Sequence, residues 1–173
     1  MSAEDLRARI REIPDFPKPG ILFYDITTLL KEAAPFKEAV ELMTAPFRGE
    51  KVDLVVGMES RGFIFSAPMA IELGAGFVPV RKLGKLPAET VSVEYALEYG
   101  TNTLEIHKDA IAPGQRVLVV DDLLATGGTV VGTIELLTML KAEVVGLAFL
   151  VELTFLKGRD RLGKHNVHSV IEY

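Results

Sequence analysis

The chain has 173 residues, of which 49% are hydrophobic and 25% charged, with a net charge of −5 and no cysteine. That length and balance suit one soluble globular domain, able to bury about two-thirds of its unfolded surface without a metal or disulfide staple. The missing cysteine excludes disulfides, Cys-ligated zinc, iron–sulfur clusters and thiolate catalysis, and the negative charge weighs against nucleic-acid binding, so an anionic ligand needs locally gathered cations or oriented backbone N–H groups.

The chain opens on an amphipathic helix pattern: Ser2 suits its N-cap, Glu4 and Asp5 its first turn, and Leu6, Ile10 and Ile13 share one face. This segment lacks the apolar run of a signal peptide, and no stretch approaches the roughly 20 apolar residues of a membrane span, so a cytoplasmic protein without membrane contact is expected. Pro14, Pro17 and Pro19 then break the helical pattern. A helix is expected near Pro35 to Phe47, a strand at Val52 to Val56, a helix at Phe63 to Leu73 and a strand at Phe77 to Val80. From Lys82 to His107 the pattern lapses into a polar stretch with Gly84, Pro87 and Gly100, the mark of a functional lid or disordered loop, with a β-hairpin as one way to fold part of it. A strand at Val117 to Val120, a helix at Thr129 to Lys141 and a strand at Val144 to Val151 follow.

Continuous Val/Leu runs alternating with helices specify an α/β fold: a central, mostly parallel sheet flanked by helices. Such a sheet places its ligand outside the carboxyl ends of its strands. The expected unit is a single domain over residues 1–173. His107, His165 and His168 have no metal-ligand spacing and read as structural histidines.

The segment Val117-Leu-Val-Val-Asp-Asp-Leu-Leu-Ala-Thr-Gly-Gly-Thr129 joins a strand to a helix through an acidic pair and a short loop. Ala125, Thr126, Gly127, Gly128 and Thr129 offer hydroxyls, two permissive glycines and the free N–H groups of a helix start, which together suit a phosphate. Asp121 and Asp122 would repel that phosphate. They suit vicinal hydroxyls instead, so a ribose phosphate satisfies both halves, and either carboxylate can reach Mg²⁺ through water. Val52 to Gly62 repeats the strand–loop–helix plan. Glu59, Ser60 and Arg61 there suit a diphosphate, although Arg61 paired with Glu59 at a solvated helix start is the plainer alternative. Arg81, Lys82 and Lys85 gather positive charge after another strand. No G-x-G-x-x-G follows a strand, and no P-loop string is present.

The Val117–Thr129 string resembles the phosphoribosyl pyrophosphate (PRPP) signature of the type I phosphoribosyltransferases, and its Leu123-Leu-Ala-Thr126 form resembles the adenine-specific branch. The resemblance spans about Ile13 to Gly158. It implies the type I fold with a small N-terminal hood over about residues 1–33 and a flexible catalytic loop at 82–107. It implies transfer of phosphoribose to N9 of adenine, with AMP and pyrophosphate as products, Mg²⁺ carried by PRPP, and a homodimer. The Val52–Gly62 loop then corresponds to the pyrophosphate loop, with a cis Glu59–Ser60 bond, and Arg81, Lys82 and Lys85 to phosphate contacts. Glu98 becomes the acid/base of the lid with Tyr99 beside it, although the residues alone do not separate Glu98 from Glu94. Phe16 to Ile26 resembles the base-binding hood: Leu22, Phe23 and Tyr24, with Leu153 opposite, would hold adenine. Tyr24 departs from the family, which usually carries arginine there. The remaining readings are a transferase for an oxopurine, a PRPP-sensing regulator of the same fold, and an unrelated nucleotide binder.

Overall fold

The computed structural model describes residues 1–96 and 100–173. In chain order the elements are α1 (Ala3–Arg7), β1 (Arg11–Pro14), β2 (Leu22–Asp25), α2 (Thr27–Leu30), α3 (Ala33–Thr44), β3 (Leu54–Met58), α4 (Gly62–Leu73), β4 (Gly76–Lys82), β5 (Thr90–Ala96), β6 (Thr101–His107), β7 (Arg116–Leu124), α5 (Gly128–Met139), β8 (Glu143–Glu152) and β9 (Val167–Glu172). A seven-stranded sheet runs β5-β6-β4-β3-β7-β8-β9, and β1 and β2 form a separate ribbon. The pairs from β4 through β9 are parallel, whereas β6 joins β4, and β5 joins β6, antiparallel.

The strands divide the core by their period of two. Val55, Leu118 and Val120 face one layer with Phe65, Met69 and Met43 of the helices α4 and α3. Val56, Val117 and Val119 face the other, with Val130, Leu136 and Leu137 of α5. Each residue from Val117 to Val120 is 0% exposed, so the uninterrupted apolar run reflects a strand covered on both faces. No helix among the described residues is long and apolar enough to cross a membrane.

Two expectations change. The first helix stops at Arg7, although Ser2 caps it as anticipated, in a capping box with Asp5. Ile13 lies in β1, paired with Phe23. Pro14 disfavours helical backbone at Ile13, and ribbon pairing satisfies the main chain that a longer helix would have used. The second change concerns β7, which continues through the acidic pair to Leu124. Its neighbour β3 pairs only as far as Val120, while β8 accompanies it to Leu124. Asp121 and Asp122 therefore lie within a strand, but beyond the end of one of its partners, where a crevice opens. Part of the 82–107 stretch forms the β5–β6 hairpin.

Candidate active site

Three cavities meet at the carboxyl ends of β3 and β7. The smallest, about 80 Å³, is lined by Asp121 and by Leu123 to Val130. It faces the start of α5. Gly127 precedes that helix at φ +83°, a left-handed conformation that glycine adopts at little cost, and among the described residues no side chain caps the helix. The first helical N–H groups have no intrahelical acceptor and are directed at the loop. With the helix dipole they suit an anion.

The loop is held from behind. Gly158 lies so close that a Cβ added there would stand 2.2 Å from the Ala125 carbonyl oxygen. Arg161 Nη1 donates to the Thr126 carbonyl at 3.1 Å. Neither support was foreseen from sequence, because both come from the segment after β8.

The central cavity, about 560 Å³, is polar; Glu59, Ser60, Arg61, Lys82, Asp121, Asp122, Ala125 and Thr129 line it. The Glu59–Ser60 peptide bond is cis, as expected. Arg61 does not pair with Glu59. Its Nε lies 2.6 Å from Asp122 Oδ2, and the Asp122 side chain is only 8% exposed. Glu59 turns instead to Arg81, at 3.3 Å, and accepts the Lys82 N–H at 2.6 Å. Of the three expected cations, Lys82 lines the cavity, Arg81 braces Glu59, and Lys85 sits exposed on the adjoining turn. Burial, then the charge of Asp122, pushes the Asp121 carboxyl well up from its ordinary value, and Arg61 draws it partly back. Tyr95 and Asn102, both from the hairpin, also line this cavity. Nothing in their local sequence marked them, because they arrive by hairpin pairing.

The third cavity, about 150 Å³, is apolar. Ile21, Leu22, Phe23, Tyr24 and Ile26 form one side, and Leu123, Val151 and Leu153 the other. Arg61 and Asp122 line this cavity as well as the polar one, so the two spaces adjoin at that ion pair. Phe23 packs edge-on against Phe16 at 5.1 Å, and the Arg61 guanidinium lies 5.7 Å from the Phe23 ring centre. The four residues expected at a base, Leu22, Phe23, Tyr24 and Leu153, are thus brought together. Glu98 and Tyr99 lie outside the described residues. Of the histidines, His168 contacts the Leu42 carbonyl at 3.0 Å, whereas buried His107 Nε2 has no partner among the described residues.

An acidic pair followed by a glycine-rich helix start, set beside a second strand–loop–helix with a cis bond, is the arrangement expected of a phosphoribosyltransferase. The family model described as phosphoribosyl transferase domain matches residues 27–171. The adenine phosphoribosyltransferase of Roseiflexus sp. (strain RS-1) is 59% identical over 164 residues, covering 95% of each chain. The structure of the adenine phosphoribosyltransferase of Thermoanaerobacter pseudethanolicus superposes with a TM-score of 0.96 at 54% identity, covering 99% of this chain and 100% of that one. The Saccharomyces cerevisiae enzyme, complexed with adenine and an imino-altritol bisphosphate, superposes at 0.92 with 40% identity and 97% coverage of both chains. The chain belongs to the adenine phosphoribosyltransferase family.

Proposed function

We propose that this protein transfers the phosphoribosyl group of PRPP to N9 of adenine, forming AMP and releasing pyrophosphate, the reaction of adenine salvage. The observation that carries this reading is the adjoining pair of cavities. An apolar slot sized for a planar base opens beside a polar chamber lined by cations, an acidic pair and a helix N-terminus. On this reading the 5′-phosphate rests on Ala125 to Thr129, and the ribose hydroxyls on Asp121 and Asp122. The pyrophosphate group lies along Glu59, Ser60 and Arg61, with Lys82 beside it and Arg81 and Lys85 supporting. Adenine enters between Leu22, Phe23 and Tyr24 on one side and Leu153 on the other.

The chemistry follows from those positions. N9 attacks C1 of the ribose as the C1–oxygen bond to pyrophosphate breaks. The ribose acquires oxocarbenium character, which preorganised charges stabilise. Asp121 and Asp122 face the ribose hydroxyls, and Arg61 and Lys82 meet the departing anion. Arg61 leaves Asp122 for the pyrophosphate in this scheme, which frees the carboxylate for a ribose hydroxyl. Glu98, proposed for the lid with Tyr99, takes the proton from N9. A lid carried between β5 and β6 would keep water from PRPP.

Among the described residues, no three His, Asp or Glu side chains cluster tightly enough to hold a metal alone. The two hard carboxylates of the acidic pair fit a Mg²⁺ ion that arrives on substrate oxygens, reached through water by Asp121 or Asp122. When bound, that ion neutralises charge on the leaving pyrophosphate. The proposed unit is one domain over residues 1–173, with a hood at 1–33. It would work in the cytoplasm as a homodimer, an arrangement suited by the exposed Leu83 in the basic turn.

The test is AMP formation from PRPP and Mg²⁺ with adenine, hypoxanthine, guanine or xanthine as acceptor. Turnover confined to adenine supports the reading. Turnover with an oxopurine overturns the base pocket, and none with any base overturns the activity.

A further inference from the structure

Tyr24 does not stand alone in the apolar pocket. Its ring lies 3.9 Å from that of Tyr173, centre to centre, with the planes tilted by 32°. The Arg7 guanidinium sits 4.3 Å from the Tyr173 ring centre, and Arg7 Nη1 donates to the Glu172 carbonyl at 3.0 Å. The main chain of Tyr173 is tied to the opposite wall. Its N–H donates to Glu152 O at 3.0 Å, and its carbonyl accepts the Thr154 N–H at 3.0 Å and the Thr154 hydroxyl at 2.7 Å. Leu153, between those two residues, is the pocket wall facing the hood. One residue therefore fastens both sides of the slot: Tyr24 by its ring, and the segment bearing Leu153 by its main chain.

We infer that Tyr173 is a positioning residue for adenine recognition, setting the width of the base slot through Tyr24 and Leu153. A planar base binds by contact on both faces, so a slot that opens slightly loses dispersion contact over the whole ring. The Tyr24 ring has no long flexible stem and depends on a flat neighbour to hold its angle. Tyr173 supplies that neighbour, and Arg7 fixes Tyr173 from α1 by a cation–π contact. None of these groups reaches the PRPP chamber, so the effect should fall on the base alone.

This inference rests on the proposed adenine transfer. The test is steady-state kinetics of wild type, Tyr173→Ala and Tyr173→Phe, with adenine and PRPP varied separately and thermal melting in parallel. Tyr173→Ala should raise KM for adenine about tenfold, with KM for PRPP unchanged. Tyr173→Phe should restore the adenine KM, since the stack needs the ring and not the hydroxyl. If the alanine variant melts below assay temperature, Tyr173→Leu, which keeps the main-chain bonds and apolar bulk, should show the same selective rise. An unchanged adenine KM, equal rises in both KM values, or no rescue by phenylalanine overturns the inference. Absence of adenine turnover in the wild type strikes the proposed function itself.

Discussion

Gly158→Ala tests whether the phosphate loop is shaped by the segment behind it. The added Cβ would stand 2.2 Å from the Ala125 carbonyl oxygen, 3.1 Å from its carbon and 3.1 Å from the Gly127 nitrogen. Heavy atoms prefer about 3.5 Å or more, so one of the two main chains must move by about 1 Å. No flexible side chain is available to absorb the overlap, because all three atoms are backbone. Overpacking of this kind costs about 1–3 kcal/mol, which lowers Tm by roughly 2–12 °C in a chain of this size. The loop that moves carries the N–H groups of the anion site. A displacement of that order reduces kcat/KM for PRPP by about 100-fold, while KM for adenine stays unchanged. Gly49→Ala is the control, since nothing lies within 4 Å of its added Cβ. The assay is AMP formation with PRPP titrated at saturating adenine, beside thermal melts of both variants. A Gly158→Ala enzyme with kcat/KM for PRPP within about threefold of wild type would refute the close-approach argument.

Three further outcomes are expected. Arg61→Ala leaves the nearly buried Asp122 carboxylate without its partner and removes the proposed pyrophosphate contact, so kcat/KM for PRPP should fall about 100-fold; Arg61→Lys recovers only part, and full recovery would show that the guanidinium fork is dispensable. Hydrogen bonds from the Thr27 hydroxyl, the Arg11 guanidinium and the Thr27 N–H hold the Asp25 carboxyl down at about 2. Because that lies below the unfolded value of about 3.9, its stabilisation is full above roughly pH 4 and fades as pH falls through 2. Asp25→Asn should therefore melt below wild type at pH 7, with the gap closing between about pH 4 and 2; a gap constant across that range counts against the linkage. Glu98→Gln should lower kcat by about 100-fold or more with little change in PRPP affinity, and near-normal turnover would remove Glu98 from the acid/base role.

The parts of this protein legible in its sequence are those built from consecutive residues. The Val117–Val120 run announced a strand covered on both faces, and the two glycines with Thr129 announced a helix start open to an anion. Both follow from backbone conformation and local periodicity, which neighbouring residues control. The same holds for the Glu59–Ser60–Arg61 loop, whose identity came with its motif. The first helix was misjudged for the opposite reason: Leu6, Ile10 and Ile13 kept a helical period, but Ile13 had a better partner in Phe23, across a turn that periodicity does not register.

Sequence by itself determined which groups are present: a glycine-rich helix start, an acidic pair, a set of cations and an apolar hood. Tertiary structure decided how these groups are paired. Asp122 rather than Glu59 holds Arg61, Arg81 rather than Arg61 holds Glu59, and Lys82 rather than Lys85 lines the cavity. The apolar slot and the loop before α5 are likewise secured from a distance, the one by Tyr173 against Tyr24 and the other by Gly158 against Ala125. Such choices depend on which side chains the sheet order brings within a few ångströms, and residues remote along the chain leave no trace of that proximity in local composition or spacing.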